Sequence, residues 1–377
     1  MDGLITPLLL ATTPPPGFLG HFGPMLLRWV AIALAFGVTV FVHELGHFLT
    51  ARATGMAVYE FSLGFGRPLL FWFKRGDTQY SFRLWPFLSY VRIAGMEPEE
   101  DHPQGYDKKP RWAQALVLVT GCLMNFLLAV GIFMVIGLAF GKPVAVNAVE
   151  EVMPKSPAAL VGLRHGDRLV GVNGRTLSLA KLREAIQANP AKQITLEVER
   201  DGAHLSISIT PKRDLVYDLR GINIIQRPIG LIGIIFATRV QRMGAVESIT
   251  SGFLDTYDTI RLQIAGLVGM VRRKVPADLM GPVGIVQQLY TQAQEGWLRF
   301  LHMAALLTVA VGFLNLMPIP PLDGSRLIIV AYEAIRRKPV DKQKERLVHL
   351  VGMAVLLLFV LFITYKDIVR IVRSSGG

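Results

Sequence analysis

Apolar residues along this chain gather in four long runs. Ala113 to Phe140 carries no charged side chain, Phe300 to Met317 is interrupted only by His302, Leu347 to Tyr365 only by His349, and Met25 to Ala51 by Arg28 and a polar cluster at 43–47. Each run, coiled as a helix, is long enough to cross a hydrocarbon layer of roughly 30 Å. Between the second and third runs the pattern changes. Short alternating stretches such as Ile194-Thr195-Leu196-Glu197-Val198 and Leu205-Ser206-Ile207-Ser208-Ile209, with turn signals at Asn173-Gly174 and Asp201-Gly202, predict strands of a compact water-soluble domain. Farther on, Ile249, Phe253, Tyr257, Ile260, Ile264, Leu267 and Val271 recur at steps of three and four, the mark of an amphipathic helix that lies on the membrane or on the other spans. The expected fold is a polytopic α-helical membrane protein of about four transmembrane helices with one inserted α+β domain.

Composition narrows the chemistry. Of 377 residues 51% are apolar and 18% charged, and Cys122 is the one cysteine, so neither an internal disulfide nor a Cys-rich metal site is available. The net charge of +12 comes from 40 basic and 28 acidic residues, and its placement decides its meaning. Basic residues crowd 52–112 and the short stretch Arg336, Arg337, Lys338, Lys342, Lys344 and Arg346, the two loops expected on the cytoplasmic side. Both termini and the inserted domain then lie outside. Residues 1–24 hold no Lys or Arg and include Pro14, Pro15 and Pro16, so the first run reads as a retained span and not as a secretory leader. No aromatic interleaving or nucleic-acid-binding module accompanies the charge, and a nucleic-acid partner is excluded. The division is 1–51 for tail and first span, 52–112 for a cytoplasmic loop, 113–140 for the second span, and 141–227 for the external domain. It continues with 228–298 as an amphipathic membrane-associated connector, 299–333 as a third, broken span, 334–346 as a basic loop, and 347–377 as the fourth span and tail.

Chemistry is concentrated at His43-Glu44-Leu45-Gly46-His47 in the first span. Four residues apart on a helix, His43 and His47 face one way and can share a Zn²⁺, with Glu44 placed to take a proton from water. Three ionisable groups at membrane depth are costly unless they face a metal, a wet cavity or protein. A hydrolytic zinc site needs a third protein ligand. Asn315 to Gly324 interrupts the third run with Pro318, Pro320 and Pro321, which break a helix, and Asp323 on that break is the candidate. It is also placed to cap a helix segment beginning near Ser325.

These residues resemble the site-2 proteases, polytopic intramembrane zinc metalloproteases, and in particular the bacterial regulator-of-sigma-E protease branch. His43 to His47 fits the family's HExxH, Asn315 to Gly324 its N-x-x-P-x-P-x-L-D-G segment, and Gly281-Pro282-Val283-Gly284-Ile285 its upstream Gly-Pro stretch. The resemblance implies a zinc-dependent endopeptidase of the bacterial inner membrane with its active site toward the cytoplasm. The implied substrate is a transmembrane segment of a single-pass protein, such as an anti-sigma factor trimmed first by another protease, or a signal-peptide remnant. Gly64-Phe65-Gly66 resembles the family's membrane-associated β-loop, which offers a strand edge to the substrate; an ordinary turn is the other reading. Asn315 looks like its substrate-binding or oxyanion-stabilising Asn. Asn125 either helps hold the substrate strand or bonds a neighbouring helix. Cys122 stands where the family often has Pro. Ser156 to Asp167 resembles the corresponding run of a PDZ domain, which either recruits a peptide C-terminus or keeps bulky ectodomains away. A membrane-anchored scaffold with a dead site, or a protease of soluble peptides, gives no physical reason to keep His43, Glu44, His47 and Asp323 within apolar runs.

Overall fold

The structure, a computed structural model, describes residues 18–85, 89–97, 100–220, 223–273 and 279–375; the tail before residue 18, with Pro14, Pro15 and Pro16, lies outside them. The chain forms two compact units, one made of residues through Leu128 together with Leu279 onward, the other of Ala129–Asp278. Among the described residues four helices are long and apolar enough to cross a membrane: Gly23–Ala53, Arg111–Phe140, Trp297–Asn315 and Lys342–Arg373.

The first unit opens with α1 (Phe18–Ala53), which carries the HExxH motif near its C-terminal end. Four strands follow: β1 (Val58–Leu63), β2 (Phe65–Arg75), β3 (Thr78–Trp85) and β4 (Tyr90–Ile93). They form a sheet in the order β2-β3-β1-β4, with β1 and β3 parallel and the other pairs antiparallel. Gly76 at φ 63°, in the two-residue connection between Arg75 and Thr78, supplies the left-handed backbone that closes the β2–β3 hairpin. Ala51, Met56, Val58, Ile93, Ala113 and Val117 pack together, so the sheet is fixed against α1 and the start of α2 (Arg111–Phe140).

The second unit is built mainly of strands. β5 (Lys142–Val152) leads through the single turn α3 (Pro157–Leu160) to β6 (Arg168–Val172), β7 (Arg175–Thr176), α4 (Leu179–Gln187), β8 (Ile194–Arg200) and β9 (Ala203–Ile209). β10 (Lys212–Arg220) and β11 (Asn223–Leu231) form a separate hairpin, and β12 (Ile234–Gln241) returns to the main sheet, whose order is β12-β5-β6-β8-β9 with β7 on β6. Leu169, Leu182, Leu196, Val198 and Ile209 form its core. Asp167 is buried, its two carboxylate oxygens held by Arg200 Nε at 2.6 Å and Nη2 at 2.7 Å, and it accepts the Arg164 N–H at 2.8 Å. The boundary expected at 227 is corrected by β12. That strand pairs with β5 along most of its length, covering an edge that would otherwise be exposed, so the folded unit continues to Gln241 and residues 228–241 are not part of an amphipathic connector.

α5 (Ala245–Val271) is amphipathic in an unexpected sense. Its buried residues are small or hydroxylic, Ser248, Ser251, Gly252, Thr256, Thr259, Ala265 and Gly269, while Phe253, Leu254, Tyr257, Leu262 and Val271 are exposed. A Cβ at Gly252 would lie 2.7 Å from the Val130 carbonyl and one at Gly137 would meet Ser248 at 3.0 Å, so small residues bring this helix close to α2.

The chain then re-enters the first unit as α6 (Pro282–Glu295), α7 (Trp297–Asn315), α8 (Asp323–Arg336) and α9 (Lys342–Ser375). Ile32 of α1 packs with Leu289 and Ala293 of α6 and Phe300 and Leu307 of α7, and the Thr39 and Thr308 hydroxyls meet at 3.0 Å. The Gly-Pro-Val-Gly-Ile stretch starts α6. Its Gly284 N–H donates to the buried Asp367 of α9 at 2.7 Å, Arg370 donates to the other oxygen at 2.9 Å, and a Cβ on Gly281 would lie 2.7 Å from the same carboxylate. α8 is tied to the start of α2 by Arg111 and Glu333 at 2.7 Å. Four long apolar helices with a β-rich region fit a polytopic membrane protein carrying a β domain.

Candidate active site

The HExxH spacing places His43 and His47 on one face of α1, and both are buried. The break after α7 brings Asp323 to them: its Oδ2 lies 3.0 Å from His43 Nε2 and 3.2 Å from His47 Nε2, and the two Nε2 atoms are 3.1 Å apart. Asp323 is the first residue of α8, and its carboxylate goes to the histidines. The helix N-terminus still favours a negative charge there. Gly324 makes this placement available, because a Cβ would lie 2.3 Å from the Leu316 carbonyl and 2.4 Å from that of Met317.

Three donor atoms at about this separation fit one tetrahedral ion. Ligand bonds of about 2.1 Å give an edge of about 3.4 Å, close to the triangle found, and two imidazoles with a carboxylate are a zinc donor set that leaves a fourth position open. The neighbours of the ligands fit too. The His47 Nδ1–H donates to the Val117 carbonyl at 2.8 Å, which leaves Nε2 as the metal-facing nitrogen. Asn125, fully buried, has its Nδ2 3.5 Å from His43 Nδ1 while its Oδ1 has no partner. With the amide turned over, Oδ1 accepts the His43 Nδ1–H, and Nε2 is freed for a metal. α2 reaches this close through glycines: a Cβ on Gly121 would sit 2.4 Å from His47 Nε2, and one on Gly46 2.6 Å from the Thr120 carbonyl.

Glu44, half-buried, is held from the other side. Its Oε2 accepts the Val91 N–H of β4 at 3.1 Å. Val91 stands opposite Phe61 in the β1–β4 register, so this N–H belongs to the outer edge of the sheet. Sequence reasoning did not find Val91, Val117 or the nearness of Asn125 to His43. The GxG segment lies at the β1–β2 junction, with Gly64 at φ 96° and Gly66 at φ 95°, backbone that favours glycine. Ser62 Oγ donates to the Gly64 carbonyl at 3.1 Å and Arg83 Nη1 to the Gly66 carbonyl at 2.6 Å; the Phe65 side chain lies outside the described residues. Arg83 also donates to Glu60 at 2.5 Å and to Ser81 at 3.2 Å and lies over the Tyr90 ring. Burial, with the Glu60 carboxylate beside it, pushes the Tyr90 phenol up to about 12. Asn315 ends α7, three residues beyond Gly312, where a Cβ would touch Asn125 at 3.1 Å.

Residues 31–359 match the model of peptidase family M50. The chain is 30% identical to the zinc metalloprotease RasP of Geobacillus kaustophilus, over 90% of this chain and 97% of that protein. It is 29% identical to the regulator of sigma-W protease RasP of Bacillus subtilis, over 91% and 98%. A putative zinc metalloprotease of Rhizobium meliloti is 32% identical over 87% and 93%. Among solved structures, the PDZ domain of an SdrC-like protein from Listeria innocua matches 26% of this chain at 18% identity; its TM-score of 0.19 assigns no fold. With a family match over most of its length and a His-Glu-His-Asp cluster at its centre, the chain belongs to peptidase family M50, the site-2 proteases, and is a zinc metalloprotease.

Proposed function

We propose that this protein cuts peptide bonds within the membrane-embedded segment of a single-pass protein, and that it is itself a multi-pass protein of the bacterial inner membrane. One observation carries the reading: the HExxH residues belong to a helix long and apolar enough to cross a membrane, and their third partner, Asp323, starts a helix of the same compact unit. A protease of soluble peptides has no reason to place its ionisable groups there. The basic residues of 52–112 and 336–346 favour the cytoplasmic side for the HExxH end of α1.

His43, His47 and Asp323 hold the ion, with Asn125 and Val117 fixing the two imidazoles. When bound, zinc supplies Lewis-acid polarisation of the scissile carbonyl and makes water acidic enough to attack near neutral pH. Glu44, held by Val91, takes the proton of the attacking water at a carboxylate oxygen and returns it to the departing amine. A substrate helix must unwind before its backbone can reach these groups. A sheet edge beside Glu44 is suited to receive it, with Gly64, Phe65, Gly66 and Asn315 on the substrate side. The name of the Bacillus subtilis relative, a regulator of sigma-W protease, favours an anti-sigma factor, already trimmed by another protease, as substrate; a signal-peptide remnant fits the same chemistry. The second unit, read as a PDZ domain, either binds the fresh C-terminus or screens out bulky ectodomains.

The test is cleavage of tagged single-span reporters in reconstituted vesicles, wild type beside Glu44→Gln, with product ends mapped by mass. A cut inside the apolar segment that vanishes in Glu44→Gln supports the reading. Cuts confined to soluble tails, or equal cutting by the variant, overturn it.

A further inference from the structure

The function just described makes no use of the chain's one cysteine. Cys122 lies in α2, fully buried. One ligand atom each from His43, Cys122 and Asp323 lie within 4.8 Å of one another. A tetrahedral zinc with bonds of about 2.1 Å to nitrogen and 2.3 Å to sulfur sets those atoms about 3.6 Å apart, so closing the set takes movements of about 1 Å. A second feature lies beside the same histidine. Asn125, three residues on, is fully buried beside His43, and whichever way its amide lies, one polar end is left without a partner. Gly121 keeps the helix against the two histidines, and Gly312 keeps α7 against the Cys122 carbonyl at 3.2 Å. A buried cysteine is more often a small apolar filler. A filler has no need to stand within reach of a histidine nitrogen and a carboxylate oxygen in the middle of a metal-binding cluster.

We propose that Cys122 is a fourth metal ligand in the substrate-free enzyme, closing the site as His43, His47, Asp323 and Cys122. The inference rests on the three-ligand reading above. On coordination the S–H bond breaks, the sulfur electron pair goes to the metal, the proton leaves to solvent, and no fourth position stays open for water. Substrate must then displace the sulfur, which takes back a proton. A closed set of this kind holds its ion more tightly than an open one and keeps an unoccupied protease inert toward stray backbone.

The experiment is the absorption spectrum of the purified full chain loaded with Co²⁺ in place of Zn²⁺, for wild type, Cys122→Ala, Cys122→Ser and the double variant His43→Ala/His47→Ala. Wild type is expected to show a sulfur-to-cobalt charge-transfer band in the near ultraviolet. Both Cys122 variants should lose that band and keep the visible ligand-field bands, and the double variant should lose both. Cys122→Ser preserves shape if the alanine variant does not fold. A wild-type spectrum with ligand-field bands and no charge-transfer band overturns the cysteine ligand and leaves the three-ligand site intact. Ligand-field bands that persist in the double variant overturn the underlying site as well.

Discussion

Val91 and Glu44 are 47 residues apart in sequence and joined by one hydrogen bond, the Val91 N–H to Glu44 Oε2 at 3.1 Å. The bond sets Glu44 at the rim of a sheet, so in the mechanism proposed above one strand would both receive extended substrate and aim the group that moves its proton. Val91→Pro removes this donor without removing one from the β1–β4 ladder, because the N–H points to the outer edge. Turnover of a single-span reporter should fall about 10-fold or more, with zinc content unchanged by metal analysis. Unchanged turnover would show that Glu44 is aimed by other contacts.

Asn125 should act through His43. Asn125→Leu leaves the His43 Nδ1–H unbonded, and loss of such an outer partner typically costs about 10–100-fold in metal affinity. Competition with a chelator should report that loss, and Asn125→Asp should restore much of it by accepting the same proton. If Asn125 served substrate alone, KM would rise and metal affinity would stay.

Arg83 holds the carbonyl of Gly66 and the carboxylate of Glu60 together. Arg83→Lys keeps a charge but loses the planar fork, so the Gly64–Gly66 turn should loosen and KM for a membrane-embedded reporter should rise several-fold at constant zinc content. Arg83→Ala should cost about 2 kcal/mol of stability by leaving Glu60 unpaired. The double variant with Glu60→Ala should recover stability and keep the raised KM, a separation that thermal unfolding beside kinetics reads directly.

The second unit should weaken in acid. Arg200 holds the Asp167 carboxyl below its ordinary value of 3.8, and the Arg164 N–H adds to the effect. With the folded value below the unfolded one, unfolding takes up a proton. The contribution is therefore complete above pH 3.8 and drains away as pH falls through the folded value. The hydrogen-exchange protection of the β6 and β8 amides in the full chain, taken relative to the intrinsic rate at each pH, should fall over that acid range in wild type, from full protection at neutral pH. In Asp167→Asn it should already be low at neutral pH and nearly flat.

The parts of the site that sequence made legible are those set by local spacing. His43, Glu44 and His47 read directly from the turn of a helix, and Asp323 from the cost of a carboxylate on a proline-broken apolar run. What was not legible depends on how helices and strands meet. The β4 edge reaches Glu44 and α2 reaches the histidines because Gly46 and Gly121 let backbones approach, and no periodicity encodes that. The same holds for β12, whose pairing with β5 carries the main strand domain on to Gln241.

The helix α5 shows that one compact unit can use two meanings of inside. In the sheet, large apolar side chains face inward; in α5, serine, threonine and glycine are buried, with Ser248 and Gly252 against α2, while phenylalanine, leucine and tyrosine are exposed. Burying leucine stabilises contact only against water, so this helix is shaped for a surrounding as greasy as its own surface, and close backbone fit holds it. Stripped of that surrounding it becomes an adhesive. An excised fragment of residues 142–241 should stay monodisperse in plain buffer, whereas one of residues 142–271 should need detergent, a contrast that light scattering can read.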